Sequence, residues 1–194
     1  MAISYPRAFP THTGVAQIEL RARNAVAYSQ SPFTFAGQAH AYSGQSWQAE
    51  ISLPPMKRED AEKWVAWLIS LRGQFGTFLL GDPLNNSPRG TATSASITGS
   101  VGDSTVDVTM TGTLLAGDYI QLGSAASSTL HKVLEDQSGS GTLEIWPNLR
   151  TAKSAEAANL TNAQGKFRLM TNETNWSISN ASIYGISFSA MEAV

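Results

Sequence analysis

Apolar residues recur at helical spacing in only one stretch of the chain, PPMKREDAEKWVAWLISLRG, residues 54–73. At about 100° per residue, Ala61, Trp64, Trp67, Leu68 and Leu71 share one stripe, with Glu62, Lys63, Ala66 and Ser70 behind them. Glu59 and Asp60 lie in the first turn and Arg72 in the last, as the helix dipole favours, and Gly73 offers a left-handed stop. No Ser, Thr, Asp or Asn occupies the start, so the helix is expected between Lys57 and Arg72 without a side-chain cap. Elsewhere the period is two. In QIELRARN, Ile18, Leu20 and Ala22 alternate with Glu19, Arg21 and Arg23, and Trp47, Ala49, Ile51 and Leu53 alternate with Gln48, Glu50 and Ser52. The Pro54-Pro55 pair separates this strand from the helix. A chain patterned this way is mainly β, with one principal α-helix.

The pattern divides along the chain. The first fourteen residues, with Pro6 and Pro10, read as an extended arm. After the helix, QFGTFLL is a short strand closed by Gly81-Asp82-Pro83. From about Pro88 brief strands alternate with glycine turns, the spacing of a small barrel or sandwich of about five strands. Residues 91–150 carry six acids and two bases, net −4, while the remainder carries +2. TAKSAEAANLTNAQ, residues 151–164, reads as a polar connection, after which GKFRLM, NWSIS and SIYGISFSAMEA return to strands too few to stand alone. The expected organisation is a discontinuous domain from 1–87 and 151–194, with a barrel inserted at 88–150.

Chemistry is hard to find. No cysteine is present among 194 residues, which excludes disulfides and thiol catalysis. His12, His40 and His131 lack metal-ligand spacing, so no metal or cofactor is expected. Asp103, Asp107, Asp118, Glu135 and Asp136 supply carboxylates, but most adjoin turn glycines, where aspartate ordinarily serves the turn. No nucleotide-binding or nucleophile-elbow motif occurs, and an enzyme is not expected. A net charge of −2 disfavours phosphate-gripping nucleic-acid binding. The N-terminus lacks a signal-peptide pattern and no apolar run is long enough to span a bilayer, so synthesis in the cytoplasm is expected. Only 14 % of residues are charged, against roughly 25 % in ordinary domains, so part of the surface is expected to face protein. Among the tryptophans, Trp47, Trp64 and Trp67 are expected in the core. Trp146, in EIWP, is the candidate platform for stacking on a sugar, and Trp176 fits either role.

Several longer patterns carry a resemblance. They are W-x-A-x-I-x-L-P-P-M-K-R-x-D-A-E-x-W from Trp47, L-R-G-x-x-G-T-F-L-L-G-D-P from Leu71, G-D-Y-I-Q-L-G from Gly117, H-K-V-L-x-D from His131, L-E-I-W-P-x-L-R from Leu143, and the closing F-R-L-M, W-x-I and I-Y-G-I-S-F-x-A-x-E-A. Together these resemble the distal tail proteins of siphophages and gene transfer agents, from about Tyr5 to Ala193. The resemblance implies a β-sandwich or split-barrel ring domain with one helix, plus an OB-like barrel. It implies a hexameric homo-oligomer in the virion, at the tail tip, joining the tail tube protein to the baseplate or tip hub protein, with DNA passing through unbound. On that expectation Glu19, Arg21 and Arg23 are candidates for contacts between neighbouring subunits. The alternative is a tail-tip carbohydrate-binding module that contacts host glycans through Trp146.

Overall fold

A computed structural model describes residues 3–10, 14–84, 87–180 and 182–194. Strands dominate it, with one α-helix, so the fold is mainly β. The first part holds β1 (Gln17–Gln30), β2 (Gly37–Ser52), β3 (Met56–Lys57), α1 (Arg58–Ser70) and β4 (Thr77–Leu80). The middle holds β5 (Ala95–Gly99), β6 (Thr105–Met110), β7 (Thr113–Leu114), β8 (Tyr119–Leu122), β9 (Thr129–Val133), β10 (Gln137–Ser138), β11 (Gly141–Trp146) and β12 (Lys153–Ala158). β13 (Gly165–Leu169), β14 (Trp176–Ile178) and β15 (Ile183–Glu192) complete the chain.

The two ends of the sequence build one sheet, ordered β1-β2-β15-β13-β4, with β3 and β14 also pairing with β15. Its core is the predicted one: Trp47, Ala49 and Ile51 from β2, with Leu53 just beyond its end, meet Trp64, Trp67, Leu68 and Leu71 around α1. Lys57 precedes the helix with no side-chain cap, and the chain leaves it through left-handed Arg72 and Gly73. Gly73 tolerates that conformation because it lacks a Cβ, and one added there would meet Asn172. The N-terminal arm lies against this core. Arg7 bridges Phe78, Trp67 Nε1 donates to the Ala8 carbonyl at 3.0 Å, and Phe9 sits edge-on to Trp64 and Trp67.

The middle strands form a second sheet in the order β12-β5-β6-β11-β9-β8. A bridge between Gln121 and Asn159 brings its two ends together, so the sheet is nearly a closed barrel. Ile97, Val108, Leu122, Val133 and Leu143 fill it. Here the sequence reading needs correction. The polar segment 151–164 is not a mere connection: β12 runs antiparallel to β5, so the barrel sheet has six strands where about five were expected. β12 is rich in Ala, Ser and Glu and mostly solvent-facing. Backbone hydrogen bonds, not an apolar face, hold it, so no hydrophobic period announces it.

A second correction concerns β1. Ile18 and Leu20 are only half-buried, and every residue from 21 to 44 except Ser31 is exposed. β15 pairs with β2 only as far as Gln48, so beyond it β1 and β2 continue alone as a two-stranded ribbon.

Candidate functional site

The side chains of greatest interest gather where the barrel leaves the first sheet. Glu192, on β15, is buried beside the end of the β2 ladder; its Oε2 accepts from the Trp47 backbone N–H at 3.1 Å and from Arg150 Nη2 at 2.6 Å. The same guanidinium donates to the Gln45 carbonyl at 2.9 Å. One residue pair over, Gln45 Oε1 accepts from Asn148 N at 2.7 Å and Asn24 Oδ1 accepts from Trp146 Nε1 at 2.7 Å. Residues 146–150 therefore grip both strands at the ribbon's base. Trp146 also meets Trp47 edge-on, with ring centroids 4.5 Å apart. It is half-buried and engaged at its one donor, so the candidate sugar platform is built into a joint.

Asp118 fastens the barrel's entry in the same way. It is fully buried; Oδ1 accepts from Arg89 N at 2.9 Å, and Oδ2 accepts from Leu115 N at 2.9 Å and more loosely from Gly90 N at 3.4 Å. Asp103 accepts from Ser100 N at 2.6 Å and Asp136 from Ala116 N at 2.7 Å. Asp107 and Glu135 face solvent. These aspartates organise turns, as glycine-adjacent aspartate does.

His131 lies inside the protein. Its Nδ1 donates to the Pro147 carbonyl at 2.7 Å, which leaves Nε2 to accept from Thr129 Oγ1 at 3.0 Å. Burial pushes its pKa down to about 4, opposed by the bond to Pro147 and helped by the charges of Arg150 and Lys153. His40 stands on the ribbon with its ring edge against Tyr42, and His12 lies outside the described residues. Among the described residues no three His, Cys, Asp or Glu side chains converge as a metal site would require. No described helix is long and apolar enough to cross a membrane.

The charged residues of β1 are on the surface, as alternation places them. Arg21 bonds Glu19 at 2.8 Å and Glu50 across the strand at 2.9 Å, and the two carboxylates raise its pKa. Glu19 and Arg21 are thus already paired within their own sheet, whereas Arg23 is exposed opposite Ser46 at the root of the ribbon.

The sequence marks residues 31–55 as a turn-rich hairpin region, and β1 and β2 do turn at 31–36; what the reading missed is how far the ribbon projects and that both its faces are exposed. Residues 24–45, NAVAYSQSPFTFAGQAHAYSGQ, contain no Asp, Glu, Lys or Arg. Val26, Tyr28, Phe33, Phe35 and Tyr42 are all exposed on it, Phe33 at 92 %. The signal for the exposure was available as a 22-residue charge-free run. Comparison with protein-family models and with curated proteins finds no match to this chain.

Proposed function

We propose that this chain is a structural virion protein, a distal tail protein whose copies form a ring between the tail tube and the tip hub of a siphophage. The observation that carries the reading is a rigidly rooted ribbon of 22 charge-free residues exposed on both faces. Isolated two-stranded ribbons are marginal in water, and exposed apolar surface of this extent marks protein contact. The long sequence patterns point to the same lineage. Its buried carboxylates and histidine are engaged in fastening backbone and carry no turnover, and no cofactor enters the reading.

In the ring, taken as a hexamer, each subunit presents one face to a different face of the next, which closed cyclic symmetry requires. DNA passes without specific binding, as a near-neutral lumen permits. The acidic barrel lies outside, towards tip proteins. The test is native mass spectrometry of the purified chain, with negative-stain images of it and of the particle. Closed rings at the tail tip are expected; isolated copies in both preparations would end the proposal. Charge reversal at Arg21 and Arg23 is a second probe, expected to weaken rings chiefly through Arg23.

A further inference from the structure

A cavity opens in the first sheet where its pairing is interrupted. β15 pairs with β13 through residues 190–192 and with β14 through residues 184–186. Three residues of β15, 187–189, span the interval between, whereas six residues, 170–175, cross it on the other side. The surplus bows that segment away from β15, as an enlarged β-bulge would. The bow is braced against the exit of α1. Gln74 donates from its backbone N–H to Asn172 Oδ1 at 3.0 Å and from Nε2 to the Met170 carbonyl at 2.6 Å. Met170 N–H donates to the Ser189 carbonyl at 3.0 Å, and Thr171 Oγ1 to the Glu173 carbonyl at 2.9 Å. The opening is therefore built into the fold.

The space enclosed is about 460 Å³, within the roughly 300–1,000 Å³ of small-molecule sites. Ile51, Leu68, Leu169 and Phe188 form an apolar floor, reached through the gap in the ladder. The rim is oxygen. Ser187 stands opposite Ser52 and Ser189 opposite Glu50, while the bowed segment adds Thr171, Glu173, Thr174 and Asn175. Among the described residues, the side chains of Ser52, Ser187, Ser189, Glu173 and Asn175 have no hydrogen-bond or ion-pair partner, so their polar atoms are free to serve a ligand. No lysine or arginine lines the space. Arg21, beside Glu50, is already bonded to Glu19 and Glu50.

The geometry points to a binding site for a neutral saccharide in this gap between β13, β14 and β15. A pyranose ring carries C–H groups on its faces and hydroxyls around its edge, which matches an apolar floor inside an oxygen rim. Glu50 and Glu173 accept from sugar hydroxyls in charge-assisted bonds, and the Asn175 amide both donates and accepts. Other chemistries fit less well. An anion would meet two carboxylates and no free cation. An ammonium would gain little, because Glu50 already shares Arg21 and Glu173 is exposed, where an ion pair contributes little. A wholly apolar ligand would strip water from the rim hydroxyls and return no hydrogen bond. Trp176 lies one residue past Asn175, opposite Ile186 in the ladder, and is not part of the lining, so Phe188 supplies the aromatic surface. The site is complete within one chain and does not rest on the ring reading.

The test is saturation-transfer NMR on the full chain, a method that serves a monomer and a large assembly alike. The probes are glucose, galactose, N-acetylglucosamine, cellobiose and lactose, with butylamine and citrate as charged controls. Saturation is expected to reach at least one saccharide and neither control. Glu173→Ala/Asn175→Ala changes exposed side chains without partners, so it should keep the wild-type Tm and weaken saccharide binding about tenfold or more, the loss expected for two hydrogen bonds, one of them to a charge. Ser52→Val/Ser187→Val, on the paired strands, should weaken it independently of the bowed segment. The inference is overturned if no saccharide of the panel receives saturation, or if binding survives unchanged in both variants. It is equally overturned if butylamine or citrate binds as well as the saccharides and is lost with the same substitutions. A failed panel leaves ring assembly untouched, and a chain that binds saccharide but never closes into rings keeps the site and discards the ring.

Discussion

Removing the guanidinium of Arg150 should be among the costliest single changes available outside the apolar core. The Glu192 side chain is 4 % exposed and that of Arg150 22 %, so the 2.6 Å pair is largely withdrawn from water. Arg150→Met keeps the aliphatic bulk but leaves the carboxylate with only the Trp47 N–H at 3.1 Å, and the Gln45 carbonyl loses a donor. Stranding one member of a buried pair costs about 3–5 kcal/mol. The remaining N–H and the partial exposure of the site place this case near 3 kcal/mol. For a chain of this size that is a fall in Tm of roughly 6–12 °C. Urea unfolding followed by tryptophan fluorescence suits the measurement, since Trp47 and Trp146 border the pair. Glu192→Gln should also destabilise. The double variant Arg150→Met/Glu192→Gln should recover at least about 2 kcal/mol relative to the sum of the singles, because no charge is then stranded. A cost below about 1 kcal/mol for Arg150→Met, or strict additivity in the cycle, would show that the pair is solvated like a surface ion pair and refute the argument.

His131 predicts a distinct acid response. Its pKa is near 4 when folded and 6.5 when free, so the unfolded chain binds more protons between these values. Its contribution, on the order of 3 kcal/mol at roughly 1.4 kcal/mol per pKa unit, is complete above pH 6.5 and is lost as pH falls towards 4. The stability of wild type relative to His131→Gln should therefore decline over that interval; a constant difference would contradict the burial argument. Asp118→Ala orphans the N–H groups of Arg89 and Leu115 and should cost about 3 kcal/mol by urea denaturation, with Asp118→Asn milder. Gly81→Ala would bring a Cβ within 2.1 Å of the Ala163 carbonyl oxygen, so a loss of about 1–3 kcal/mol is expected in calorimetry and an unchanged Tm would count against the local geometry.

By itself the sequence determined the elements whose side chains choose between core and water. The stripe from Ala61 to Leu71 could only be a buried helix face, and the alternation from Trp47 to Leu53 could only be a strand with one dry side. Both are found so. The mainly β class followed, because hydrophobic period is written residue by residue. Tertiary structure alone decided what depends on backbone pairing and on partners distant in the chain. β12 joins the barrel through its ladder with β5, without an apolar face of its own. Glu192 meets Arg150 only because β15 lies beside β2, and Asp118 becomes a fastener only where residues 89 and 115 converge upon it. Residues 24–45 follow the same rule from the opposite side. Their charge-free composition is local, but their exposure arises because β15 leaves β2 at Gln48 and nothing else among the described residues takes its place.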